Sequence, residues 1–160
     1  MKTDFLMDES SNLIPGPIIL TPEIFLDDRG TFLESWNKKQ FNALVNLEVN
    51  FVQDNESYSK KGTLRGLHYQ LKPFSQQKLV RAIKGEIYDV IVDLREDSKT
   101  FGKWAGIILN SELKNQLWIP YGFAHGFLTL SDEAIMGYKV TDYWAKDFER
   151  TLHWKDNKIN

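Results

Sequence analysis

From Phe51 onward the chain leaves no room for a long helix, because turn residues interrupt it every few positions. The intervening runs of strand character are Phe51–Ser59, Leu64–Gln70, Gln77–Lys84, Glu86–Asp93, Trp104–Asn110, Gln116–Ile119, Phe123–Leu130 and Ala134–Thr141. So many short strands bury their apolar faces only in two packed sheets or one closed sheet, which predicts an all-β sandwich or barrel. Lys84-Gly85 reads as a tight hairpin corner and Ser131-Asp132-Glu133 as another. Upstream, Pro15-Gly16-Pro17 punctuates the chain before Ile18–Thr21, leaving residues 1–16 as an N-terminal arm, either loose or a strand lent to a partner subunit. Asp28-Arg29-Gly30 is a tight turn between two short strands within Phe25–Ser35. The spacing of Phe41, Leu44 and Val45 predicts the one helix, over Asn37–Val45. Residues 145–160 carry no pattern and read as irregular, and with no linker or repeat the whole of 1–160 reads as a single domain.

Composition removes several classes of function. The 160 residues hold 20 basic and 22 acidic side chains, a net charge of −2, so no overall field draws nucleic acid or an anionic membrane. Without cysteine there is no disulfide, thiol nucleophile or thiolate metal site. No run approaches the roughly 20 apolar residues of a membrane span, and the start has no signal-peptide core. The expectation is a soluble cytoplasmic protein whose anion sites are local.

Leu64–Gln70 carries the most suggestive chemistry. Strict alternation places Leu64, Gly66, His68 and Gln70 on one face and Arg65, Leu67 and Tyr69 on the other. A bulge at the glycine would turn Arg65 towards the same cavity as His68. That suggests a proton-transfer base, His68, beside an anion clamp, Arg65. A lone strand histidine is more often structural, but His125 sits in Pro120-Tyr121-Gly122-Phe123-Ala124-His125-Gly126-Phe127. That Pro-x-Gly-x-x-His pattern resembles the second motif of cupins, the double-stranded β-helix family. Metal-binding cupins join that histidine to a His-x-His and a glutamate. Here the earlier strand offers only His68-Tyr69-Gln70, and His153 lies in a polar tail, so no metal is expected.

Several motifs in register are similar to those of the dTDP-4-dehydrorhamnose 3,5-epimerase family. They are Asp28-Arg29-Gly30-x-Phe32-x-Glu34, Gln53-x-Asn55-x-Ser57, Leu64–Gln70, Lys78-Leu79-Val80-Arg81, Asp89-x-x-x-Asp93-Leu94-Arg95, the His125 motif and Tyr138-Lys139. The resemblance implies a cupin-type jelly-roll barrel with one or two short helices. It also implies a cofactor-independent epimerase acting on a dTDP-4-keto-6-deoxyhexose. Inverting the acidic C3 and C5 centres of such a sugar takes a base on one face, an acid on the other and a group that steadies the enolate. By resemblance these are His68, Tyr138 and Lys78, with Asp89 behind them; a carboxylate in so apolar a run needs a partner, for which His125 is the candidate. Lys78 itself could snorkel outward or point into the barrel. Asp93 and Arg95 read as a structural ion pair or a turn.

For the nucleotide the resemblance implies Arg65 and Arg29 on the diphosphate, and Gln53 and Asn55 at the nucleotide end. Arg29, Phe32 and Glu34 would reach across a homodimer interface to complete the partner's site. Two positions depart from the family pattern. Trp144 stands where a tyrosine is common near the base, keeping stacking but losing a phenolic hydrogen bond. Family members also continue past Trp154-Lys155-Asp156 into a tail that gives an aspartate to the catalytic histidine, a role for which Asp89 or another carboxylate would have to substitute. A C3-only epimerase and a catalytically weakened nucleotide-sugar binding protein remain as alternatives on the same fold.

Overall fold

The computed structural model describes residues 1–159, arranged as thirteen strands and one α-helix. The strands are β1 (Lys2–Met7), β2 (Leu13–Thr21), β3 (Phe25–Asp27), β4 (Gly30–Phe32), β5 (Gln53–Lys60), β6 (Leu64–Gln70), β7 (Lys78–Lys84), β8 (Glu86–Asp93), β9 (Trp104–Asn110), β10 (Gln116–Ile119), β11 (Phe123–Thr129), β12 (Glu133–Val140) and β13 (Glu149–Thr151). A six-stranded sheet in the order β1-β2-β10-β7-β12-β5 packs against a five-stranded sheet in the order β13-β6-β11-β8-β9, with β3 and β4 as a separate hairpin. All the pairings are antiparallel. This is the jelly-roll architecture that the strand spacing and the cupin-like motif imply.

The turn at Gly85 differs from expectation in an instructive way. β7 and β8 belong to different sheets, and so do β11 and β12. Gly85 and Ser131–Glu133 are therefore corners that carry the chain from one sheet to the other, not hairpins. They meet: Gly85 has φ +72°, and a side chain there would collide with the Glu133 carbonyl and the Ser131 hydroxyl. Glycine supplies both the left-handed conformation and the space.

Alternation sorts the side chains of each strand. Along β7, Val80 and Ala82 face between the sheets with Ile87, Ile91, Leu109, Leu117 and Phe127. Leu79 faces outward, where Phe41 from helix α1 (Lys38–Val45) covers it with Trp118 and Val49. Asn37 caps that helix by accepting from the Gln40 backbone N–H at 3.2 Å. Phe41 alone of the expected stripe is fully buried, and Leu44 stays at the surface. No described helix is long and apolar enough to cross a membrane.

Both ends of the chain carry more structure than their sequences suggest. The opening segment lies as β1 against β2 of the same chain, with Lys2 opposite Thr21 and Phe5 opposite Ile18. Near the other end, a 3-10 turn at Lys146–Phe148 leads into β13, which pairs with β6 so that Thr151 lies opposite His68. Backbone hydrogen bonds to a sheet edge hold a short polar strand of this kind, leaving no apolar periodicity to read.

Candidate active site

Strands β6 and β11 form one wall of a cavity between the sheets. His68 lies opposite His125 and Arg65 opposite Phe127, so β6 takes three steps where β11 takes two. One extra residue reverses the alternation of faces. Arg65 accordingly lines the same cavity as His68. The bulge depends on Gly66, which has φ +102° and sits so close to β11 that a Cβ would stand 2.6 Å from both the Gly126 Cα and the His125 carbonyl.

The six-stranded sheet supplies the facing wall: Ser57 from β5, Lys78 from β7, and Met136 and Tyr138 from β12. The cavity, open to solvent on one side, has a volume of about 470 Å³, within the range of small-molecule sites. Lys78 points inward, its Nζ donating to the His68 carbonyl at 3.5 Å. Arg65 is steered by its donation to Ser59 Oγ at 2.9 Å and to the Tyr58 carbonyl at 3.1 Å. Behind His125, the fully buried Asp89 carboxylate contacts the ring Nε2 at 2.9 and 3.1 Å.

Burial tunes the proton-transfer groups. Desolvation pushes the Lys78 ammonium down to about 8, against the attraction of Asp89 and Glu149. Desolvation also lowers His68 below its ordinary value, opposed by Glu149 and assisted by Lys78 and His125. Tyr138 is raised by desolvation and then by Glu149, with Arg65 pulling the other way. Near neutral pH this leaves His68 free to accept a proton, Tyr138 holding one and Lys78 mostly charged.

The remaining sequence candidates lie outside this cavity. Asn55 borders a neighbouring cleft of about 300 Å³, and Gln53 donates to its side-chain oxygen at 2.6 Å. Trp144 is exposed, with its indole N–H donating to Glu149 at 3.2 Å. Arg29 pairs with Asp27 on the β3–β4 hairpin, Phe32 is 71% exposed, and Glu34 accepts from Asn37 at 3.1 Å. Asp89, a candidate to orient His68, is instead engaged by His125. Among the described residues, no group of three His, Asp or Glu side chains is placed to hold a metal ion.

A family model described as dTDP-4-dehydrorhamnose 3,5-epimerase matches residues 11–160. The chain belongs to the dTDP-4-dehydrorhamnose 3,5-epimerase family. It is 55% identical to the dTDP-4-dehydrorhamnose 3,5-epimerase of Shigella flexneri over 92% of this chain and 81% of that one. It resembles the crystal structure of dTDP-6-deoxy-D-glucose-3,5-epimerase from Legionella pneumophila Philadelphia 1 in complex with dTDP-4-keto-L-rhamnose. That match has a TM-score of 0.90 and 44% identity, covering 99% of this chain and 81% of that one. A Bacillus anthracis dTDP-4-dehydrorhamnose 3,5-epimerase solved with TDP and PPi bound superposes with a TM-score of 0.88 at 44% identity, over 99% of this chain and 88% of that one.

Within the family frame, Glu149 is the residue that the sequence pattern missed. It lies on β13, and its charge reaches His68, Lys78 and Tyr138 alike. A glutamate in an unpatterned tail gives no signal of its own, since only the pairing of β13 with β6 brings it there. Ser57, from the Gln53-x-Asn55-x-Ser57 motif, also lines the cavity.

Proposed function

We propose that this protein is a cofactor-independent epimerase that inverts C3 and C5 of a dTDP-4-keto-6-deoxyhexose. The observation that carries the reading is that His68 comes from one sheet and Tyr138 and Lys78 from the other, facing each other across one cavity. A base and an acid on opposite walls meet opposite faces of a sugar ring held between them, as inversion requires.

Neutral His68 takes the proton from the carbon next to the ketone. The C–H electron pair becomes a C=C bond, and the carbonyl pair moves onto oxygen. Lys78 stabilises the resulting oxyanion, an interaction strengthened where water is excluded. Tyr138 then delivers its proton to the other face as the carbonyl re-forms, and solvent restores both groups. The cycle runs once at each centre. Asp89 fixes the His125 ring at the cavity wall, and Arg65 clamps the diphosphate.

The protein works as a cytoplasmic homodimer. Its β3–β4 hairpin supports this reading, with Phe25 52%, Leu26 79% and Phe32 71% exposed, a set of apolar side chains that a second subunit would cover. Arg29, Phe32 and Glu34 then complete the partner's site, while Gln53, Asn55 and Trp144 receive the nucleotide end. Proton NMR with dTDP-4-keto-6-deoxyglucose in deuterated water tests the activity. Deuterium at both C3 and C5 of the product is the expected result. Deuterium at C3 alone would narrow the reaction to one centre, and none at either carbon would overturn it.

A further inference from the structure

Between the end of β12 and the 3-10 turn, residues 141–145 form neither helix nor strand, yet this segment carries Trp144. Backbone groups in such a segment need partners from elsewhere in the chain, and two glutamine side chains supply them. Gln70, buried at the end of β6, donates through Nε2 to the Tyr143 carbonyl at 3.2 Å and to the Phe74 carbonyl at 2.6 Å, while its Oε1 accepts from the Ala145 backbone N–H at 2.8 Å. Gln76 donates through Nε2 to the Asp142 carbonyl at 2.7 Å.

One amide therefore grips the backbone on both sides of Trp144. Its two ends are not interchangeable, because carbonyls face the nitrogen and an N–H faces the oxygen. The Trp144 ring is exposed and, among the described residues, stacks on no other aromatic ring. Apart from the bond to Glu149, its place is set through its backbone. Neither Gln70 nor Gln76 lines the catalytic cavity or the neighbouring cleft. A side chain already held where a ligand meets it loses less entropy on binding. Gln70 is two residues beyond His68 on the same strand, so the strand that carries the base also fixes the segment bearing Trp144.

We propose that Gln70 and Gln76 are positioning residues for nucleotide binding, which hold the 141–145 segment so that Trp144 is preorganised to receive the base. This rests on the reading above that Trp144 meets the nucleotide end. The test is calorimetric titration of the full chain with dTDP, together with steady-state kinetics on the dTDP-sugar, for wild type, Gln70→Met, Gln76→Met, Trp144→Ala and the Gln70→Met/Trp144→Ala double variant. Gln70→Met is expected to weaken dTDP binding by roughly 10-fold and Gln76→Met by roughly 3-fold, with KM raised to match and kcat within about twofold of wild type. In the Trp144→Ala background Gln70→Met should cause no further loss, because it acts through that side chain. Gln70→Met weakening binding equally with and without Trp144 would overturn the proposal, as would a fall in kcat at constant KM. Unchanged affinity in Gln70→Met, beside a Trp144→Ala that binds weakly, overturns it while sparing the nucleotide reading. Wild-type affinity in Trp144→Ala overturns both. Circular dichroism checks folding. Should Gln70→Met fail to fold, the half-buried Gln76→Met, alone and with Trp144→Ala, decides by the same criteria.

Discussion

Asp89 and Asp93 lie on the same face of β8, and both are fully buried, yet their surroundings are built for different ends. Asp93 is saturated. Arg95 donates to its two oxygens at 2.9 and 2.6 Å, Ser98 and Thr100 donate at 2.6 and 2.7 Å, and the Arg95 backbone N–H adds a fifth bond at 3.0 Å. Burial would raise this carboxyl, but the bonds from Arg95, Ser98 and Thr100 hold it at about 2. Among the described residues Asp89 has a single hydrogen-bonding side-chain partner, the His125 ring, which lines the cavity between the sheets. A buried carboxylate with every lone pair tied to fixed donors stabilises the fold, whereas one with a titratable ring as its partner organises a site.

The contrast is broken if mutations at the two ends have similar consequences. The largest separation is expected for His68→Asn at the Asp89 end, where kcat should fall roughly 1,000-fold with the melting temperature little changed. At the other end, Asp93→Asn should cost about 3 kcal/mol of stability by leaving Arg95 poorly paired. Thermal unfolding should show that loss as a fall in Tm of roughly 9 °C, with kcat per folded molecule retained. Asp89→Asn should lie between, lowering kcat/KM by roughly 10- to 100-fold through a misoriented His125. Equal loss of activity from Asp89→Asn and Asp93→Asn would remove the distinction.

The smallest effect, and the finest test, is in pH dependence. Asp93 is depressed from 3.8 to about 2, so its contribution to stability is complete above the higher value and disappears as pH falls through the lower one. Activity should fail on the acid side at higher pH, when His68 takes up a proton. On the alkaline side kcat/KM should decline as Lys78 discharges near 8, and Lys78→Arg should abolish that limb while retaining some turnover. A flat alkaline profile for the wild type would remove Lys78 from the reaction.

The sequence reveals these two ends unequally. The bounds of β6, β8, β9 and β10 follow from runs of strand-forming residues between turn signals, and the pairing of Asp89 with His125 follows from the cost of a carboxylate in an apolar run. The bulge that turns Arg65 towards His68 is legible because Gly66 interrupts an otherwise regular strand. Sheet membership is not: a turn signal at Gly85 shows that the chain reverses, not that it changes sheets. Nor is the place of Glu149, which depends on backbone pairing at an edge.

The division of labour across the cavity is most directly tested with Tyr138→Phe in deuterated water, analysing recovered substrate as well as product. If His68 abstracts the proton and Tyr138 returns one to the other face, the variant still enolises the sugar. Deuterium should then enter the recovered substrate at C3 without inversion while product formation falls by at least roughly 100-fold. Loss of exchange and turnover in equal measure would contradict the assignment of opposite walls to opposite faces.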